Sequence, residues 1–324
     1  MDRETALAVL EELRPRGGAG GIRTQGMTQS EGAAIDPRPR FGVGLTAGNS
    51  PGDFRIAVRV QDQKLLGSAQ LEAIVEKVNG EADVEYVGLL QPFAAVPPSA
   101  TPPVDRVRPL VPGCSISSTT GVSAGTLGCF VEDKDGTYFL SNSHVVADFG
   151  AAAPGLPIVQ PGKLDGGNDP ADVTGGFARA VPVDPTALNV ADAAIATVDK
   201  NGIDPTIPVI GRPTDSPPDP DIGDRVAKRG RTTDVTTGTV RSINVNLKVL
   251  WPNDPVEFAD LIEIEADDPR RSFAAPGDSG SLIVIAKGVA PLALLVAGGT
   301  NNGKTVVYGT PMTAVLRELA VSMG

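Results

Sequence analysis

The chain has 324 residues, enough for about two domains and a sizeable core. With 28 basic and 39 acidic residues its formal charge is −11, which argues against nucleic acid or an anionic membrane as the main ligand. Hydrophobic residues at 41% and charged residues at 21% exclude disorder as the default, and 38 glycines with 29 prolines point to a turn-rich, mainly β protein.

In chain order, residues 4–14 read as a short amphipathic helix with Leu7, Leu10 and Leu13 on one side. Acids stand where a signal peptide needs a basic region, and no stretch has the length of a membrane span, so the expected location is cytoplasmic. A Gly/Pro/Arg-rich stretch to about residue 40 reads as a mobile connection. The alternating segments 41–45, 54–60 and 82–90 predict strands. Between them, Leu71, Ile74, Val75 and Val78 lie at helical spacing, with Ser68 as cap and Gly80 as stop. This is a small α+β unit, ferredoxin-like, closing an N-terminal domain of residues 1–90. It holds no polar cluster that suggests chemistry. Its expected role is association, as a homo-oligomer or with a regulatory partner, or cover over a cleft.

Residues 91–112 form a proline-rich linker, short of ladder donors and biased to polyproline geometry. Short apolar strands follow over 113–324, beginning with a hairpin around Lys134-Asp135-Gly136. A second proline-rich link at 204–223 divides them into two sets, about 113–203 and 224–309, which predicts two packed β-barrels. A closing helix is expected over 311–322, with Thr310 as cap and Pro311 at its first position. The basic run at 226–233 reads as a solvated turn.

The two cysteines, Cys114 and Cys129, and a single histidine cannot form the usual zinc sets without carboxylates, and no metal is expected. The thiols either pair in an oxidising compartment or stay free and buried.

That single histidine, His144, lies in "LSNSHVVAD" at a strand end. Downstream, Asp192 opens the apolar segment "ADAAIATVD", and Ser279 stands between Asp278 and Gly280 in "APGDSGSLIV". Each fragment alone has a bland reading: a satisfied structural histidine, a strand-end charge, a glycine turn. Together they supply the parts of nucleophilic acyl transfer. A serine hydroxyl needs an imidazole to take its proton, and the imidazole needs a carboxylate to fix its tautomer. Gly277 permits a turn that aims its N–H, with that of Ser279, at one developing oxyanion.

Chain order narrows the class. The histidine precedes the serine, which excludes the Ser-Asp-His order of α/β-hydrolases and a lipase-like reading of "GDSGSL". A subtilisin-like order would need Asp133 or Asp135, which a hairpin tip explains more simply.

The three segments resemble the catalytic segments of chymotrypsin/trypsin-like serine proteases, over roughly residues 113–324. The resemblance is nearest to intracellular bacterial members and the plant narrow-leaf type, through "GTLGCFV", "IVQPGKLDGG" and "KRGRTTDVTTGTV". It implies two six-stranded barrels of chymotrypsin type, a protein or peptide substrate and no cofactor. His144 is then general base, Asp192 its orienting partner and Ser279 nucleophile, with Gly277 and Ser279 as oxyanion donors. The substrate-binding positions implied are Phe273, Gly298, Gly299 and Val306.

The chain also departs from the family. Val145 stands where secreted members carry a cysteine, and Ala297 replaces a hydroxyl that supports the aspartate. No activation sequence precedes residue 114, so Asp278 should find another partner, a backbone N–H or an arginine. Phe273 in place of an acid implies an uncharged pocket. For the segment around Arg231, a barrel strand with threonine-rich turns is favoured over a brace for the active-site loop. For residues 165–167 a tight turn suffices. The competing class is a latent enzyme or non-catalytic protease-fold scaffold.

Overall fold

The computed structural model describes residues 1–14, 41–92, 104–121, 124–252, 254–301 and 304–324. The connection leading to residue 40 and the core of the proline-rich linker lie outside the described residues.

Helix α1 (Arg3–Leu13) starts at Asp2, whose carboxylate accepts from Thr5 N–H at 2.8 Å. Its buried residues are Ala6, Leu10 and Leu13, while Leu7 is 38% exposed, so Leu7 does not lie on the buried face as expected. Steps of four then three hold one face of a 3.6-residue helix, whereas two steps of three drift off it.

Strands β1 (Phe41–Ala47) and β2 (Phe54–Val60) form an antiparallel hairpin; helix α2 (Ala69–Lys77) then crosses to β3 (Ala82–Tyr86), parallel to β2. Ser68 caps α2 through Leu71 N–H at 3.2 Å, and Leu71 and Ile74 face the core. A two-residue strand, β4 (Gln91–Pro92), follows.

The next strands are β5 (Ser115–Ser118), β6 (Gly125–Thr126), β7 (Cys129–Asp133) and β8 (Gly136–Ser141). A helical turn, α3 (Ser143–Val146), precedes β9 (Pro157–Val159), β10 (Val173–Ala180), β11 (Leu188–Asn189) and β12 (Ala194–Thr197). The rest comprises β13 (Arg225–Gly230), β14 (Asp234–Val249), β15 (Val256–Ala266), β16 (Leu282–Ile285), β17 (Pro291–Asn301), β18 (Lys304–Pro311), helix α4 (Met312–Leu319) and β19 (Ser322–Met323).

The fold is mainly β, with two curled sheets and a C-terminal helix, as expected. Eight strands in the order β19-β7-β8-β12-β10-β9-β5-β6 make the first sheet. In the second, the path β15-β18-β17-β16-β13-β14 closes through β14–β15 pairing, leaving a barrel of β13 to β18. Strand β1 pairs with β14, so the small N-terminal unit and this barrel share one sheet. Buried residues of both barrels, among them Leu140, Ile195, Leu282 and Leu294, meet Met312, Val315 and Leu319 of α4 in one core. Burying each such side chain stabilises by about 1.5–3 kcal/mol.

Pro311 itself is the N-cap of α4, and Thr310 makes no side-chain cap. The reason is that β18 runs through Pro311, paired with Ala293, and holds Thr310 extended.

Candidate active site

His144 sits in α3, directly after β8, and Val145 and Val146 anchor this turn in the core of the first barrel. The β-branched pair beside the histidine therefore fixes its backbone. Asp192 lies just before β12, which pairs with β8 at Ala194 and Ser141. Register alone thus brings the two ends together.

Asp192 is fully buried. Its Oδ1 accepts from the backbone N–H of Ser143 at 2.8 Å and of His144 at 3.3 Å, and its Oδ2 lies 2.5 Å from His144 Nδ1. Asn142 adds a hydrogen bond from Nδ2 to the Asp192 carbonyl at 2.6 Å. With Nδ1 committed to the carboxylate, Nε2 is the nitrogen left for chemistry, and it has no hydrogen-bond partner among the described residues. Phe149 packs 5.7 Å from the imidazole and Trp251, the chain's one tryptophan, stands edge-on at 6.5 Å.

Ser279 arrives from the second barrel, on the loop before β16. Its carbonyl accepts from Thr126 N–H at 2.9 Å, which ties the loop to β6 of the first barrel. A Cβ added at Gly125 would lie 2.5 Å from a Val145 methyl and 3.2 Å from the Ser279 carbonyl, so the histidine and serine segments share one neighbour. The Ser279 hydroxyl points to the Val296 carbonyl at 3.5 Å. Gly277 has φ +104°, and a Cβ there would meet Thr232 Oγ1 at 2.3 Å. Only glycine suits that turn.

Asp278, also fully buried, has the partner that the sequence left open, and that partner is a lysine as well as backbone. Lys228 Nζ lies 3.1 Å from Asp278 Oδ2, both side chains at 0% exposure. Thr232 N–H at 2.7 Å, Thr233 N–H at 3.2 Å, Ala275 N–H at 3.0 Å and Thr233 Oγ1 at 2.7 Å donate to the same carboxylate. Burial pushes the Lys228 ammonium pKa down, and the charge of Asp278 opposes that shift.

The basic run at 226–233 is accordingly no solvated turn. Lys228 and Arg231 are buried, and Arg231 Nε donates to Asp165 at 2.9 Å. Asp165 belongs to the glycine turn at 165–167, which therefore does more than reverse the chain: it ties the first barrel to the loop beside Gly277. Asn142, Thr126 and Lys228 were missed as site residues; an amide, a hydroxyl and a lysine carry no spacing signal of their own.

Gly298, Gly299 and Val306 come together on the β17–β18 pair, where Gly299 faces Val306. Phe273 does not join them. It is packed inside the barrel, in a different core cluster from Val306, with Lys228 Nζ 5.8 Å from its ring centre. The thiols of Cys114 and Cys129 are free and buried, and burial pushes both pKa values up to about 12.

No family model and no curated protein matches the chain. Among solved structures, similar chains are chymotrypsin-like serine proteases. Thermobifida fusca protease A is 16% identical over 66% of this chain and 97% of its own, with a TM-score of 0.46. Cellulomonas bogoriensis chymotrypsin is 19% identical over 66% and 97%, with a TM-score of 0.45. A glutamic acid-specific serine protease is 18% identical over 66% and 100%, with a TM-score of 0.47. Likeness this distant carries no argument about chemistry, which rests on the residues.

Proposed function

We propose that the chain is a serine endopeptidase using His144, Asp192 and Ser279. One observation carries the reading: a fully buried aspartate, held by two backbone N–H groups, faces Nδ1 of the only histidine at 2.5 Å. In the proposed reaction His144 Nε2 takes the Ser279 proton as Oγ bonds to the substrate carbonyl carbon. The N–H groups of Gly277 and Ser279 hold the oxyanion. As the C–N bond breaks, His144 returns the proton to the leaving amine, and water then releases the acyl group from Ser279 by the same steps.

A second reading, a latent enzyme or scaffold, is favoured by the Ser279 hydroxyl lying on Val296 rather than on His144. Hydrolysis of an unfolded protein substrate, compared between wild type and His144→Ala, separates the two. Release of peptides by wild type alone supports the peptidase; none from either supports the latent or scaffold reading.

We divide the chain at residues 91–112 into an N-terminal regulatory part, 1–90, and the hydrolytic part, 113–324. The segment likeness named above supports a reading close to the intracellular bacterial and plant narrow-leaf members. Two free buried thiols support a reducing compartment, and we assign the cytoplasm. No helix among the described residues is long and apolar enough to cross a membrane.

A further inference from the structure

Resting on the peptidase reading, one stretch of this chain occupies the strand edge next to the candidate nucleophile. Strand β4 pairs antiparallel with β17, Gln91 against Gly298 and Pro92 against Ala297. Ala297 follows Val296, whose carbonyl faces the Ser279 hydroxyl, so the segment runs past the candidate nucleophile. Leu90 is fully buried, and its carbonyl accepts from Leu250 N–H at 2.8 Å. It shares a core cluster with Val296, Ala297, Val306 and Tyr308. A Cβ on Gly299 would meet the Val87 carbonyl at 2.6 Å and Leu90 Cδ2 at 3.2 Å, so the glycine leaves room for this segment. Gln61 Nε2 adds a hydrogen bond to the Gly88 carbonyl at 3.3 Å.

An exposed strand edge takes a second extended chain through main-chain hydrogen bonds, and side-chain pockets along it set selectivity. Pro92 has no N–H, so the segment's donor to this ladder is Gln91, and the hold is short. We infer that residues 87–92 stand in for the substrate: the edge Ala297–Gly299 binds an extended peptide with an aliphatic side chain where Leu90 lies, and such a peptide enters by displacing this segment. A tethered occupant competes at an effective concentration on the order of millimolar. Freeing the edge therefore tightens the apparent affinity for a free peptide at least about tenfold.

The test uses the full chain carrying Ser279→Ala, so that binding is read without turnover and independently of whether hydrolysis occurs. The probe is a fluorescein-labelled hexapeptide of residues 87–92, followed by anisotropy. Adding Leu90→Ser or Gln91→Pro should each tighten binding at least about tenfold. The peptide with aspartate in place of its second leucine should bind at least about tenfold more weakly, since a carboxylate would be buried in an apolar cluster. If Leu90→Ser does not fold, Gln91→Pro decides, because the Gln91 side chain is exposed. Affinity unchanged by the substitutions, equal binding of the aspartate peptide, or no binding to any variant overturns the inference.

Discussion

His144 and Asp192 stand at the ends of neighbouring strands of one sheet, whereas Ser279 stands on a loop that reaches across from the other barrel. The first pair is placed by strand register and a few backbone donors. The serine loop needs braces of high sequence separation: Lys228 under Asp278, Arg231 to Asp165, and Thr126 to the loop backbone. Each half is therefore vulnerable in its own way. Substitution in the first half should change chemistry while the fold survives, and substitution of a brace should change stability together with chemistry.

The largest expected effect sharpens that contrast from the chemical side. Asp192→Asn should lower kcat by about 10⁴-fold through the wrong imidazole tautomer, with a far-UV circular dichroism spectrum like that of wild type. Breaking the brace comes next. Lys228→Met leaves a buried carboxylate without its cation and should cost about 3–5 kcal/mol in denaturant unfolding. An unfolding midpoint equal to wild type would mean that Lys228 does not hold the loop.

A smaller effect should come from Thr126→Val, which removes the hydrogen bond from Oγ1 to the Gly277 carbonyl at 2.8 Å and the acceptor for Arg231 N–H at 3.0 Å. Its cost should be about 1–3 kcal/mol, with activity falling more than for a surface threonine such as Thr186. The smallest effect concerns the thiols. With pKa values raised to about 12, the folded chain should take up no iodoacetamide at pH 8, and both cysteines should react after denaturation. Intact mass before and after denaturant checks this.

The meeting of His144 with Asp192 and the glycine turn before Ser279 were expected from the sequence, because nucleophilic acyl transfer combines those residue types. The short apolar strands after residue 113, divided by the proline-rich link at 204–223, pointed to a mainly β fold with two curled sheets. Lys228 was not legible: a lysine in a basic run looks solvated until Asp278, fifty residues away, supplies its partner. The tie from Asp165 to Arg231 was hidden for the same reason. Strand β4 escaped because a proline in a proline-rich stretch argues against a ladder, yet an edge position needs only the donor of Gln91. Phe273 was assigned by likeness to a pocket, and packing drew it into the barrel core instead.

The most direct test of the proposed hydrolytic centre is covalent labelling with a fluorophosphonate, mapped by peptide mass spectrometry in wild type, Ser279→Ala and His144→Ala. The probe is small and needs only an activated serine. An activated serine at this position gives a single adduct on Ser279, lost in both variants. A folded wild-type chain that takes no adduct at Ser279, or takes it equally without His144, would contradict the proposed centre.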